Sequence, residues 1–101
     1  MKALQARYDS RQSFYGKAMI EEKETKGEHG AAKVLNLYSY GTLVAKIGVF
    51  EIDNTKKKSY VYFGNYSQTT TRHQKEFFRQ NGLNDKEIKE LFKNGSLEKE
   101  F

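Results

Sequence analysis

The residues best suited to chemistry are cations that lie close together in the chain. Residues 56–82 contain a single acid, Glu76, and six cations: Lys56, Lys57, Lys58, Arg72, Lys75 and Arg79. This stretch carries +5, which equals the formal charge of the whole chain. A clustered positive charge is the electrostatic footprint expected for a polyanionic partner or an acidic protein surface. We predict that these cations gather into one exposed contact region.

Tyrosines accompany these cations at strand spacing. Lys58, Tyr60 and Tyr62 project to one side of a predicted strand, and Tyr38 and Tyr40 alternate on a second strand. An aromatic platform edged by cations binds single-stranded nucleic acid, with about 1–3 kcal/mol for each stacked base. The alternative is that the rings lie beneath the helices, because aromatic side chains are most often buried in the core.

The predicted helix that follows has two unlike sides. At about 100° per residue, its three cations share an outer side with Glu76, opposite Phe77 and Phe78. An ordinary solvated helix face is the alternative interpretation of this stripe. The hydroxyl-rich residues 66–73 and the free backbone N–H groups at the helix start form a potential anion site, although capping explains some of the hydroxyls.

Catalytic and metal chemistry are poorly represented. The chain has no cysteine and two histidines, His29 and His73, which excludes a thiolate nucleophile and a cysteine zinc site. No Gly-rich phosphate loop, nucleophile elbow or Asp cluster is present. Glu21, Glu22 and Glu24 fit a solvated strand edge. We predict a protein that is not an enzyme and holds no cofactor or metal; a nuclease built from scattered acids is the alternative.

Length and composition indicate one folded domain spanning residues 1–101. Leu, Ile, Val and Phe make up 22 of the 101 residues, and seven tyrosines add apolar area to the core. No run approaches the length of about 20 apolar residues that a membrane span needs, and no apolar signal core is present. We expect a cytoplasmic protein.

Strand patterns fill most of residues 1–66. The predicted strands are residues 4–8, 14–22, 34–40, 43–52 and 59–63. Residues 24–30 are polar and flanked by glycine, which predicts a turn or a mobile loop.

Residues 43–63 predict an antiparallel hairpin whose tip is residues 53–58. Gly48 predicts a bulge in its first strand. The residues facing the core would switch at that bulge, from Leu43, Ala45 and Ile47 to Phe50 and Ile52.

Residues 69–95 predict two helices. Thr69 or Thr70 is the predicted N-cap of the first, which runs to about residue 81. Gly82 fits the left-handed position that ends a helix, and Leu83 would reach back to Phe78 in a Schellman motif.

The second helix follows at once. Asn84 and Glu87 have the spacing of a capping box, and Gly95 ends the helix. Residues 96–101 form a tail that we expect to fray. The elements together predict an α+β fold, in which a curved antiparallel sheet of about four or five strands is followed by two short C-terminal helices packed on one face.

Three stretches of the sequence carry a resemblance to a known family. They are residues 7–18 (RYDSRQSFYGKA), 37–47 (LYSYGTLVAKI), and 66–73 (YSQTTTRH) running on to 77–82 (FFRQNG). The chain resembles a family of small proteins carried by phages and other mobile elements of Gram-positive bacteria, some relatives of which act as anti-CRISPR inhibitors. The resemblance implies binding to an RNA-guided nuclease or its guide-RNA complex. Because the chain is basic, it does not resemble the acidic inhibitors that mimic DNA.

The sequence thus predicts a stoichiometric inhibitor that acts by covering a surface of its target. The predicted binding residues are Lys56, Lys57, Lys58, Tyr60, Tyr62, Arg72, Lys75 and Arg79. The alternative is a phage accessory protein that binds RNA or DNA directly and has no target in host defence. A third possibility is a structural or dimerising phage protein that uses an exposed sheet edge.

Overall fold

In a computed structural model, which describes residues 1–9, 13–27 and 30–100, the chain forms six strands and two helices. The strands are β1 (Lys2–Ala3), β2 (Ala18–Gly27), β3 (Gly30–Ser39), β4 (Thr42–Ile52), β5 (Thr55–Tyr62) and β6 (Ser96–Glu100). The helices are α1 (Gln68–Gln80) and α2 (Asp85–Asn94), and both lie between β5 and β6 in the chain. Neither helix in this described part is long and apolar enough to cross a membrane.

All strands belong to one antiparallel sheet with the order β1-β2-β3-β4-β5-β6. The predicted α+β fold is therefore confirmed, with six strands in the described residues instead of about four or five. The additional strands are the two-residue β1 and the C-terminal β6, both at the edges of the sheet.

One face of the sheet is packed against the helices and forms the core. From the sheet, the fully buried side chains are Ala18, Leu37, Val44, Ala45, Ile47 and Tyr60. From the helices and their junction, they are Phe77, Phe78, Leu83, Ile88 and Leu91. Leu4 and Phe14 join this core from the N-terminal segment, so that segment also lies on the helix-covered face. Burial of these apolar surfaces is the main force that holds the helices on the sheet.

The opposite side of the sheet, which we call the open face, follows from strand alternation and the pairing register. Its residues are Met19, Glu21, Lys23, Thr25, Ala32, Val34, Asn36, Tyr38, Leu43, Lys46, Gly48, Phe50, Ile52, Lys57, Ser59, Val61, Ser96, Glu98 and Glu100. None of the described helices packs on this side.

The predicted bulge at Gly48 is wrong. The register is continuous through Gly48, which pairs with Val34 and Ser59. The irregularity lies opposite Leu37 and Tyr38, whose partners are Ala45 and Leu43, so Val44 is the additional residue on β4. Gly48 instead makes room for an aromatic ring, since a Cβ there would come within 2.9 Å of Phe50.

The set of core-facing residues on β4 therefore switches at Val44 and not at Gly48. Phe50 and Ile52 lie on the open face with Leu43, whereas Ala45, Ile47 and Val49 face the helices.

The hairpin tip is shorter than predicted. Asp53 and Asn54 alone form the turn, with φ of 49° and 68°. Asp and Asn tolerate this left-handed region better than other non-glycine residues and favour two-residue hairpin turns. The lysines at 56–58 are therefore part of β5 and alternate between its faces.

Long pairing in the β2–β3 hairpin replaces the predicted loop at residues 24–30. β2 continues through Gly27 and β3 begins at Gly30, and residues 28 and 29, including His29, lie outside the described residues. Residues 4–8 do not form a strand, because β1 ends at Ala3.

The C-terminal segment is a strand, so the predicted fraying is wrong for residues 96–100. β6 pairs with β5 along its whole length and places Leu97 beside Tyr60. Leu97 packs against the core, and this burial offsets the entropy lost on ordering the segment. Phe101 lies outside the described residues.

The ends of the two helices agree with the sequence prediction, apart from the N-cap of α1. Ser67, and neither Thr69 nor Thr70, caps α1 by accepting a hydrogen bond from the backbone N–H of Thr70. The Schellman motif at Gly82 is confirmed, since the N–H of Leu83 donates to the carbonyl of Phe78.

The predicted ends of α2 are also confirmed. Asn84 and Glu87 form a capping box at its start, and Gly95 ends it in the left-handed conformation.

Candidate binding surface on helix α1

The outward side of α1 carries a stripe of cations. Arg72 and Lys75 are exposed and Arg79 is half-buried, as expected from their spacing on the helix. Arg79 is held by Asp85, to which its Nε and Nη2 atoms donate at 3.0 and 2.6 Å. Arg72 lies 3.6 Å from Asp9, whereas Lys75 forms no ion pair with any described acid. The positive charge of the stripe is therefore greatest near Arg72 and Lys75.

Glu76 does not belong to this stripe, which corrects the sequence prediction. Its side chain is buried, and Oε1 accepts three backbone N–H groups, from Arg7, Tyr8 and Asp9, at 2.8, 2.7 and 2.9 Å. A carboxylate that accepts several backbone donors is held in place by strong charge-assisted hydrogen bonds. Glu76 thus fastens the N-terminal segment along the side of α1.

Gln80 extends this attachment by one helical turn. Its Nε2 donates to the carbonyl of Gln5 at 2.6 Å and to Oε2 of Glu76 at 2.9 Å. Gln80 and Gln5 are 75 residues apart in the chain, whereas Gln80 and Glu76 are 4 apart. Only the contact with Glu76 could therefore be predicted from the spacing of residues on a helix.

His73 is a buried part of the core and not an exposed catalytic group. Its Nδ1 lies 2.8 Å from Oγ of Ser39, which in turn is 2.9 Å from Oγ1 of Thr70. The ring of Phe14 meets the His73 ring edge-on, with centroids 4.7 Å apart. The contacts of Glu76 and His73 bring the described residues of the three stretches 7–18, 37–47 and 66–82 together around α1.

The start of α1 forms a shallow depression lined by polar and aromatic residues. Its lining residues are Asn65, Tyr66, Ser67, Gln68, Thr71, Arg72 and Lys75. Ser67 is occupied as the cap, and Oγ1 of Thr71 donates to the Ser67 carbonyl at 2.9 Å. Tyr66 is 52% exposed, and the first turn contains no acid. We call the exposed part of this depression, Tyr66, Gln68, Arg72 and Lys75, the α1-start surface.

Two more exposed tyrosines lie at the same end of α1. Tyr15 and Tyr40 are 79% and 58% exposed, and both adopt left-handed φ angles, 52° and 51°, in tight turns. The turns are adjacent, because the N–H of Tyr40 donates to the carbonyl of Lys17. Left-handed backbone is uncommon for residues other than glycine and is often found at functional sites. Sequence reasoning did not single out Tyr15, although the repeated Tyr-Gly pair was a visible signal.

The predicted tyrosine platform on β5 is wrong, and the alternative that these rings lie beneath the helices is confirmed. Tyr60 is fully buried and donates its hydroxyl to the carbonyl of Asn81 at 2.7 Å. This burial raises the pKa of Tyr60 to about 12. Tyr62 stacks on Phe92 of α2, with ring centroids 4.2 Å apart.

The lysines of β5 are also separated from the α1-start surface. Lys57 lies on the open face and pairs with Glu98 at 2.9 Å, and hydrogen bonding to Glu98 raises the pKa of Lys57. Lys58 lies on the helix-covered face and donates to the Asn81 carbonyl at the C-terminus of α1. A cation is favoured there by the partial negative charge of the helix end. Lys56 is exposed near the hairpin turn.

The cations of residues 56–82 therefore occupy several places, and the prediction of one exposed region is wrong. Arg72 and Lys75 remain together, with Arg79 one turn further along the helix. Among residues 1–9, 13–27 and 30–100, no group of three or more metal-ligand side chains comes together.

Comparison with known proteins gives one match. A model of a family of unknown function, DUF8033, matches residues 2–94, which span β1 to the end of α2 and exclude β6. No curated protein and no solved structure matches the chain. Since the match covers most of its length, the chain belongs to the family of unknown function DUF8033.

Proposed function

We propose that this chain is a binding protein that inhibits an RNA-guided nuclease in the cytoplasm of a bacterial host. It covers a surface of the nuclease, or of its guide-RNA complex, stoichiometrically and without catalysis. The proposal of a nuclease partner rests on the resemblance to small phage and mobile-element proteins. The proposal of a contact surface rests on the α1-start surface.

One observation carries the contact surface: exposed Arg72 and Lys75 stand beside an exposed tyrosine at a helix N-terminus without acids. The N-terminus of a helix adds a partial positive charge to these two cations. Such a surface complements an acidic protein patch or the phosphates of a guide RNA. Arg79 and Lys57 contribute less, because their ion pairs with acids are close, at 2.6 and 2.9 Å, whereas Arg72 lies 3.6 Å from Asp9 and Lys75 has no ion pair with a described acid.

Charge reversal at the α1-start surface tests this proposal. The affinity of the double variant Arg72→Glu/Lys75→Glu for a guide-loaded nuclease is measured by calorimetry beside that of the original chain. We expect a loss of tenfold or more, equivalent to about 1.4 kcal/mol. The control is Lys86→Glu/Lys89→Glu on α2, which changes the net charge equally at exposed positions. Equal affinities for all three proteins would refute the assignment of this surface.

A second candidate function is direct binding of single-stranded RNA or DNA by a phage accessory protein. The observation that favours it is Tyr66, whose exposed ring lines the same depression as Arg72 and Lys75. A stacking ring beside two cations is a common way to hold a single strand.

Salt titration separates the two functions. Binding to a bare oligonucleotide that weakens steeply as salt rises, and that is lost in Tyr66→Ala, supports the accessory protein. Tyr8→Ala is the matched control, because Tyr8 is 61% exposed beside the other end of α1. Tight binding to the nuclease complex, with little affinity for the free oligonucleotide, supports the inhibitor.

A further inference from the structure

The open face of the sheet is unusually apolar for a surface in contact with water. Its apolar side chains are Met19, Ala32, Val34, Tyr38, Leu43, Phe50, Ile52 and Val61. An antiparallel sheet with one solvated face normally alternates apolar residues inward with polar residues outward. Here apolar residues lie on both faces, which is the pattern of a sheet that is covered on both sides.

The charges of the open face balance among the described residues. Its cations are Lys23, Lys46 and Lys57, and its anions are Glu21, Glu98 and Glu100. The excess of +5 therefore lies elsewhere in the molecule. A neutral face does not attract a polyanion, because that interaction depends on neutralising phosphates. It does allow an identical face to approach without net repulsion.

A polar group at the centre of the open face lacks a partner. Asn36 is 7% exposed, and its Nδ2 donates to Oε1 of Glu21 at 3.1 Å, but its buried Oδ1 has no hydrogen bond among the described residues. An unsatisfied buried acceptor costs about 1–3 kcal/mol. Lys46 is the exposed cross-strand neighbour of Asn36.

We propose that two copies of this chain pack their open faces together and form a sheet-on-sheet dimer. Identical subunits most often associate through a two-fold axis, and stacked sheets keep their strands within about 30° of each other. An axis along β4 stacks β4 on β4 and places β2 of one copy over β6 of the other.

This arrangement matches opposite charges at the edges of the interface, whereas it brings the two Lys46 cations near each other at the axis. Lys23 and Glu98 lie in one row across the sheet, because the pairing runs from Lys23 through Val34, Gly48 and Ser59 to Glu98. Rotation about β4 exchanges the two ends of this row. Lys23 of each copy is thereby brought over Glu98 of the partner copy, on both edges of the interface.

The size of the face sets the strength of the dimer. Strands β2 to β6 span about 20 Å across and about 30 Å along, which gives about 600 Å² per copy. This is below the value of about 800 Å² per partner in standard stable interfaces. An interface of this size belongs to the small class that is typical of weak association, so we expect a dimer that depends on concentration.

Sedimentation velocity tests the dimer. We expect the chain to pass from monomer to dimer between about 1 μM and 1 mM, the range that corresponds to weak association. The variant Val34→Thr/Val61→Thr keeps β-branched side chains and the strands, and we expect it to dimerise at least tenfold more weakly. Lys86→Glu/Lys89→Glu on α2 should dimerise like the original chain. A chain that remains monomeric over this range overturns the proposal.

Cysteine cross-linking locates the interface independently of stability. Because the chain contains no cysteine, Lys46→Cys and Lys75→Cys each introduce one exposed thiol, on the open face and on α1 respectively. The two-fold axis along β4 brings the two copies of position 46 near each other. We expect Lys46→Cys to form a disulfide-linked dimer much faster than Lys75→Cys under the same oxidant. Equal rates would overturn the arrangement.

Discussion

At the scale of the residue, Glu76 shows how a single charge can organise a small domain. Its carboxylate is buried and accepts hydrogen bonds from three backbone donors of the N-terminal segment and one side-chain donor. Those backbone groups would otherwise need water or another acceptor. The same contact keeps an acid off the outer side of α1, so Arg72 and Lys75 remain a positive surface.

We predict that Glu76→Ala lowers the free energy of unfolding by about 1–3 kcal/mol, because it leaves three partly buried N–H donors without their acceptor. Glu76→Gln keeps an acceptor without the charge and should lose less. Chemical denaturation gives the free energies, and amide exchange at Arg7, Tyr8 and Asp9 should accelerate in both variants.

The control for this prediction is Lys75→Ala on the exposed side of α1, which should stay within about 0.5 kcal/mol of the original chain. If Glu76→Ala proves as mild as this control, the buried carboxylate does not hold the N-terminal segment.

At the scale of the element, the C-terminus of α1 is fixed by strands and not only by its own cap. Tyr60 and Lys58 from β5 donate to the carbonyl of Asn81, and Lys99 from β6 donates to that of Gly82. These donors satisfy carbonyl groups that the helix leaves without internal partners. The lysines of β5 and β6 are therefore partly structural, which explains why the basic stretch does not form one surface.

We predict an alkaline loss of stability through Tyr60. Burial raises its pKa from the ordinary 10.0 to about 12, so folding favours the protonated hydroxyl. A raised pKa gives stability that is complete below pH 10 and disappears as pH rises through about 12. The unfolding free energy of the original chain should fall over this window relative to that of Tyr60→Phe, measured by denaturation at each pH.

Tyr66→Phe serves as the control, because it removes the hydroxyl of an exposed tyrosine. A constant difference between the original chain and Tyr60→Phe from neutral pH to pH 12 would contradict the prediction.

At the scale of the whole molecule, the sheet separates two surfaces of different chemistry. The helix-covered side carries the excess positive charge and the α1-start surface. The open face is apolar and neutral, with an unsatisfied acceptor at its centre. The two proposals, an acidic partner and a second copy of the chain, therefore use opposite sides of the molecule.

We predict that these two surfaces act independently. Arg72→Glu/Lys75→Glu should leave the dissociation constant of the dimer unchanged, and Val34→Thr/Val61→Thr should leave the affinity for the α1 partner unchanged. Changes at distant sites without shared contacts usually add within about 0.5 kcal/mol. Combining all four substitutions and measuring both affinities checks this, and a larger deviation would show that the surfaces are coupled.

The sequence by itself determined the features that depend on neighbouring residues. The α+β class, the capping box at Asn84, the Schellman motif at Gly82 and the outward direction of Arg72 and Lys75 all follow from side-chain periodicity and local hydrogen bonds. Each of these signals spans only a few residues, so it acts in any tertiary context.

The tertiary structure alone decided which face of the sheet is covered and what each buried polar group contacts. Alternation on β5 predicts that Tyr60 and Lys57 lie on opposite faces, but no local signal tells which face the helices occupy. Glu76 contacts partners 67 to 69 residues away. These donors are backbone N–H groups, which nearly every residue has, so the sequence does not predict which of them Glu76 contacts. Packing of distant segments thus buried the tyrosines and distributed the lysines, because it minimises exposed apolar area and unpaired backbone groups over the whole chain.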